Sequence, residues 1–148
     1  MAQVEQQRTT EASGKVIYTA KTHTTGGREN GVSRSSDGQL EIKLSLPGSP
    51  RAGTNPEQLF AAGWSACFEG ALMLAAQKKK IKLPTDVAID AEVDLRLDNG
   101  EYFLSARLNV SIPGIERGIA QSLVEDAELI CPYSKATSGN IAVTYAVV

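Results

Sequence analysis

Between residues 59 and 76 only Ser65, Glu69 and the glycines Gly63 and Gly70 interrupt an otherwise apolar run. A stretch so long and so apolar folds either as a helix buried on most of its circumference or as a membrane span. Helix start signals converge just before it: Thr54 or Asn55 can cap, Pro56 suits the first helical position, and Glu57 complements the positive N-terminal end. The helix is predicted from Pro56 to about Lys80, with the triple lysine at 78–80 placing cations at its negative end. Glu57, Gln58, Glu69 and Gln77 leave too short an uncharged run for a span, so the expectation is a core helix, buried nearly all round, with no membrane insertion.

The flanking text sets the class. Residues 15–24 are rich in β-branched and aromatic types and end at a Thr-Gly-Gly turn, 32–36 suggest a short strand, and Leu40, Ile42, Leu44 and Leu46 alternate. The two prolines and two glycines of 47–54 make a loop. After the helix, Val87, Ile89, Ala91, Val93, Leu95 and Leu97 alternate up to Asn99-Gly100, the strongest short hairpin signal, and Leu104, Ala106, Leu108, Val110 and Ile112 alternate again. Ile115, Ile119, Leu123, Ala127 and Ile130 recur at helical spacing as far as Cys131-Pro132, and residues from Gly139 onward read as a last strand. The order is βββαββαβ, an α+β plan of antiparallel sheets around a long buried central helix. A flexible polar tail is expected over 1–13 and a single domain over 14–148.

The 148 residues carry 15 basic and 17 acidic side chains, a net charge of −2, with no basic patch dense enough for nucleic acid. The polar start lacks the charged beginning and apolar core of a secretory signal, which makes the cytoplasm the expected setting. A lasting structural disulfide is rare there, so Cys67 and Cys131 are expected to be inert, metal-bound or redox-active. Metal is the weakest of the three, because two cysteines and a distant His23 do not complete a closed zinc site; no metal and no bound cofactor are expected.

Cys67 lies inside the apolar run and Cys131 at the abrupt end of another. A thiol in an apolar wall is kept protonated by desolvation, so a nucleophilic role needs a cation brought to it. Arg28, flanked by glycines in Thr-Gly-Gly-Arg-Glu-Asn-Gly, is the best candidate, with Arg34 and Arg51 as rivals.

The segments TGGR at 25–28, SSDG at 35–38, GTNPEQLFAAGWSACFEGAL at 53–72 and CPYSKATSGNI at 131–141 resemble the organic hydroperoxide resistance proteins of the Ohr/OsmC family. The resemblance runs from residue 16 to the end of the chain. It implies the Ohr/OsmC-like fold, an intertwined homodimer with active sites at the interface, and a thiol peroxidase that reduces organic and fatty-acid hydroperoxides to alcohols. It further implies Cys67 as peroxidatic and Cys131 as resolving cysteine, joined in a disulfide during turnover, with Arg28 and Glu57 activating the thiolate. The reductant it implies is dihydrolipoamide or a lipoylated protein. Leu59, Phe60, Trp64 and Phe68 are candidate pocket residues. Ser138, Trp64 and Glu69 depart from the family's usual arginine, tyrosine and apolar residue, and bear on substrate range.

Glu57 and Cys67 stand ten positions apart, about 15 Å of rise on one straight helix, too far for both to meet one guanidinium. Either the helix breaks or two subunits share the site. Two other classes use the same residues differently: an apolar ligand binder needs neither Arg28 nor two thiols, and a redox sensor oxidises without turning over.

Overall fold

The computed structural model describes residues 12–148; residues 1–11 of the expected 1–13 tail lie outside the described residues. The elements are β1 (Thr22–Thr25), α1 (Gly27–Asn30), β2 (Val32–Ser35), β3 (Glu41–Lys43), α2 (Pro56–Lys78), β4 (Ala88–Asp98), β5 (Glu101–Ser111), α3 (Arg117–Ile130), α4 (Pro132–Thr137) and β6 (Ala142–Val147). They contain the expected βββαββαβ order, with two short helices, α1 and α4, added.

The long hairpin follows from its text. Asn99 and Gly100 both take positive φ, 50° and 79°, as a tight turn between twisted strands requires. The turn sets the register: Ala91 faces Leu108, Val93 faces Ala106 and Leu95 faces Leu104, so every alternating apolar residue falls on one face. That face packs on α2 and α3 around a core holding Trp64, Phe68, Leu72, Leu108, Val110 and Leu123. Replacing the fully buried Leu108 by alanine is expected to cost about 2–5 kcal/mol in denaturant unfolding, because a central-strand cavity cannot collapse.

Helix α2 begins as predicted, with the Asn55 side chain accepting from the Gln58 amide and Pro56 at the first position. At its other end Lys79 pairs with Asp126 of α3 at 3.0 Å. Length and apolarity alone would let α2 span a membrane, yet its Trp64, Phe68 and Leu72 are sealed in the core.

Three expectations need correction. The last strand is not antiparallel: β6 runs parallel to β5, because α3 and α4 together form the crossover that returns the chain to the start of the sheet. Helix α2 is not buried all round; Met73 is 62% and Leu74 49% exposed, since β4, β5 and α3 cover one side only. The first strand is confined to Thr22–Thr25, and Val16, Ile17 and Tyr18 before it are exposed, with no neighbouring strand among the described residues to pair with.

Sheet β1-β2-β3 is antiparallel throughout and stands apart from the main core. It is joined to the start of α2 by a bridge between Leu44 and Thr54 and by the ion pair of Arg28 with Glu57.

Candidate active site

The two cysteines, 64 positions apart in sequence, meet. Cys131 Sγ lies 3.2 Å from Cys67 Sγ and both thiols are free. Cys67 sits midway along α2; Cys131 is the single residue joining α3 to α4, with its amide bonded to the Ala127 carbonyl at 2.8 Å. Their environments differ as the sequence suggested: Cys67 is half-buried, and Cys131 is 0% exposed. Only Cys67 can meet a bulky solute.

Burial pushes the Cys67 thiol up from its ordinary pKa, the amide of Tyr133 acts against that, and the neighbouring Cys131 adds to it. Among the described residues no cation takes part. Within its own chain Cys67 is therefore a thiol at neutral pH, and a nucleophilic thiolate needs positive charge from elsewhere.

The cation expected for that role, Arg28, stands at the start of α2. Arg28 Nη2 donates to both Glu57 oxygens, at 2.9 and 2.7 Å, so the carboxylate is held at both oxygens through one nitrogen. The rivals are occupied elsewhere: Arg51 donates to the Leu44 and Gly31 carbonyls at 3.1 and 3.2 Å, and Arg34 pairs with Glu41 at 3.3 Å. His23 is an exposed residue of β1. Arg28 and Glu57 line a cleft of about 800 Å³ whose apolar wall is the uncovered end of the hairpin, Val93, Leu95 and Tyr102.

The site residues thus form two groups, Arg28 with Glu57 and Cys67 with Cys131. Since α2 is unbroken from Pro56 to Lys78, about 15 Å of helix separates Glu57 from Cys67. A broken helix, one of the two ways to bring them together, is excluded.

A family model described as OsmC-like protein matches residues 46–146. An organic hydroperoxide resistance protein of Xanthomonas axonopodis pv. citri is 48% identical over 134 residues, covering 88% of this chain and 94% of the relative. The chain belongs to the OsmC-like family, among its organic hydroperoxide resistance proteins. OhrA of Bacillus subtilis is 46% identical over 135 residues, covering 86% of this chain and 94% of that one. The crystal structure of OhrB of Bacillus subtilis superposes with a TM-score of 0.84 at 40% identity, covering 90% of this chain and all of that one.

Of the four aromatic and aliphatic residues expected to line a pocket in this OsmC-like chain, Trp64 and Phe68 belong to the sealed core instead. Trp64 meets Phe60 edge-on at 5.5 Å, and Phe68 stacks on Tyr145 at 5.3 Å. Helical spacing placed them correctly on α2; which side of that helix the sheet covers was not visible in it. Leu59 and Phe60 are half-buried, and Phe60 lines a second, mostly apolar cleft of about 500 Å³ with Leu104, Tyr133 and Ile141. Tyr133 was missed. Its ring crosses α2 at Gly63, where an added Cβ would stand 3.0 Å from the tyrosine oxygen; a glycine one turn before Cys67 was the available signal.

Proposed function

We propose that the chain is a thiol peroxidase that reduces organic hydroperoxides to alcohols. The observation that carries this is the pair of free thiols at 3.2 Å, one reachable and one sealed, in a chain whose relatives are named for organic hydroperoxide resistance. Cys67 thiolate attacks one peroxide oxygen; the O–O bond breaks, the alkoxide leaves and takes a proton as the alcohol, and Cys67 is left a sulfenic acid. Cys131 then condenses with it to a disulfide, releasing water. A dithiol such as dihydrolipoamide or a lipoylated protein restores both thiols by exchange, closing its own ring as it is oxidised. The cytoplasm, where thiols are kept reduced, suits this cycle.

Arg28 and Glu57 enter from the partner chain of a homodimer. The separation along an unbroken α2 favours sharing, as do the exposed Leu95 and Tyr102, which line the same cleft as the ion pair. Two copies related by a twofold axis place Arg28 of each near Cys67 of the other, an isologous arrangement. The guanidinium supplies the charge that the thiolate lacks in its own chain, and Glu57 holds it.

The pH dependence follows with a definite sign. A raised thiol pKa leaves little thiolate at neutral pH, so in Arg28→Ala the alkylation of Cys67 by iodoacetamide is expected to rise only above the ordinary thiol range, and in the parent protein at lower pH. Measured in a Cys131→Ser background, superimposable profiles would remove Arg28 from the activation of Cys67.

The apolar cleft at Phe60 and Tyr133 suits an alkyl chain. Each buried methylene contributes about 0.8 kcal/mol, so four give roughly a hundredfold preference over hydrogen peroxide. Steady-state consumption of cumene and alkyl hydroperoxides with dihydrolipoamide as sole reductant tests the function. Turnover that favours the alkyl substrates supports it; no turnover, with both thiols inert to peroxide, leaves an apolar ligand binder on the same fold.

A further inference from the structure

Cys131 sits between two helices, so the position of its sulfur depends on how both dock. Helix α3 docks through Ala120, Leu123, Val124 and Ala127. Helix α4 has only six residues, too few to hold a fixed geometry alone. What fixes it is a buried polar junction. Ser134, 4% exposed, receives two hydrogen bonds on one hydroxyl: from Trp64 Nε1 of α2 at 3.1 Å and from the Tyr145 hydroxyl of β6 at 2.8 Å.

The placement of this junction relative to the thiols is specific. Trp64 precedes Cys67 by three positions on α2, and Ser134 follows Cys131 by three, so the bond between them lies one turn from each sulfur and joins the same two helices. Tyr145 stacks on Phe68, the neighbour of Cys67, and so ties β6 to the same turn of α2. Apolar packing tolerates sliding, whereas hydrogen bonds hold distance and direction. Polar groups in a core cost stability unless each is partnered, and here they are: no buried side-chain nitrogen or oxygen lacks a partner among the described residues.

We propose that Trp64, Ser134 and Tyr145 form a hydrogen-bonded clamp that sets the register of α4 on α2 and so positions Cys131 for disulfide formation with Cys67. They are positioning residues and touch no substrate. In the step they serve, the S–O bond of the Cys67 sulfenic acid breaks and the S–S bond forms. The Cys131 proton leaves with the hydroxyl as water; the Cys67 sulfur is reduced and that of Cys131 oxidised. The sulfurs must close from 3.2 Å to about 2.05 Å with a narrow torsion, a geometry that a small slide of α4 would spoil.

The clamp's role rests on the thiol-peroxidase reading, but its test does not. Ser134→Ala removes the shared acceptor, Tyr145→Phe removes one donor and keeps the ring on Phe68, and Ser134→Thr keeps the hydroxyl. Each reduced protein is treated with stoichiometric alkyl hydroperoxide and, separately, with diamide, and disulfide formation is followed by intact mass. Ser134→Ala and Tyr145→Phe are expected to close the disulfide about tenfold to a hundredfold more slowly with either oxidant. Peroxide consumption in the first step should stay within about twofold, a second equivalent of hydroperoxide should carry Cys67 of the slowed variants on to sulfinic acid, and Ser134→Thr should stay close to the parent. Disulfide closure at the parent rate in folded Ser134→Ala or Tyr145→Phe, even with a lower melting temperature, overturns the clamp. Should Ser134→Ala not fold, Tyr145→Phe decides. A parent protein inert to peroxide, whose diamide closure is still slowed in the variants, would sink the peroxidase and leave the clamp standing.

Discussion

Replacing Cys67 by serine is expected to lower organic hydroperoxide turnover by about a thousandfold or more, measured as peroxide consumption with a dithiol reductant. A serine hydroxyl in that half-buried position has no thiolate-like form at neutral pH, so the first covalent step is lost. Cys131→Ser should behave differently. Its first turnover proceeds at close to the parent rate, because the fully buried Cys131 never meets the peroxide. The sulfenic acid then persists, a dimedone adduct forms on Cys67, and excess peroxide carries it to sulfinic acid. Should Cys131→Ser lose the first step while Cys67→Ser keeps it, the two roles are reversed. That would require the burial of the two sulfurs to invert in the assembled protein.

Arg28→Ala is expected to lower kcat/KM by about a hundredfold to a thousandfold, since in the proposed site the guanidinium both stabilises the thiolate and meets the charge that develops on the leaving oxygen. The decisive version uses two chains. In a dimer of one Arg28→Ala chain and one Cys67→Ser chain, a shared site pairs the intact Cys67 of the first with the intact Arg28 of the second, and the other site is dead. Random mixing makes about half the dimers mixed, each with one working site, so the mixture should recover about a quarter of parent activity from two nearly inactive parents. A mixture no better than its components would place Arg28 and Cys67 of the same chain together, against the length of an unbroken α2. Glu57→Ala should behave as a weaker Arg28→Ala and complement Cys67→Ser in the same way, because Glu57 pairs with Arg28 at 2.7 Å and its proposed part is to hold it.

Much of the architecture was legible because it is written locally. The cap at Asn55, the proline after it and the apolar run define α2 to within two residues of its end. The Asn99-Gly100 turn, with strict alternation on both sides, specifies β4 and β5 and their register. Both signals act between residues close in sequence, where turn chemistry and periodicity decide. Helix α4 was not legible: six residues after a proline show no period, and the contacts that dock them, such as the Ser134 bonds to α2 and β6, come from residues distant in sequence. The direction of β6 was hidden for the same reason, since alternation reports which face is buried and not which way the strand runs.

The candidate site divides along the same line. The sequence alone singled out the residues of the proposed chemistry: two thiols in unlike surroundings, an arginine in a glycine-flanked loop, and an acid at a helix start are identities, and folding does not change them. It also determined, through the rise of a helix, that Glu57 and Cys67 cannot serve one guanidinium within one straight α2. Only the tertiary structure decided that Cys67 and Cys131 stand 3.2 Å apart, that Arg51 and Arg34 are occupied elsewhere, and that Trp64 and Phe68 face the core rather than a ligand. These are consequences of how α2, α3 and the hairpin dock. Docking minimises exposed apolar area over the whole chain at once, a sum that no local window of sequence contains.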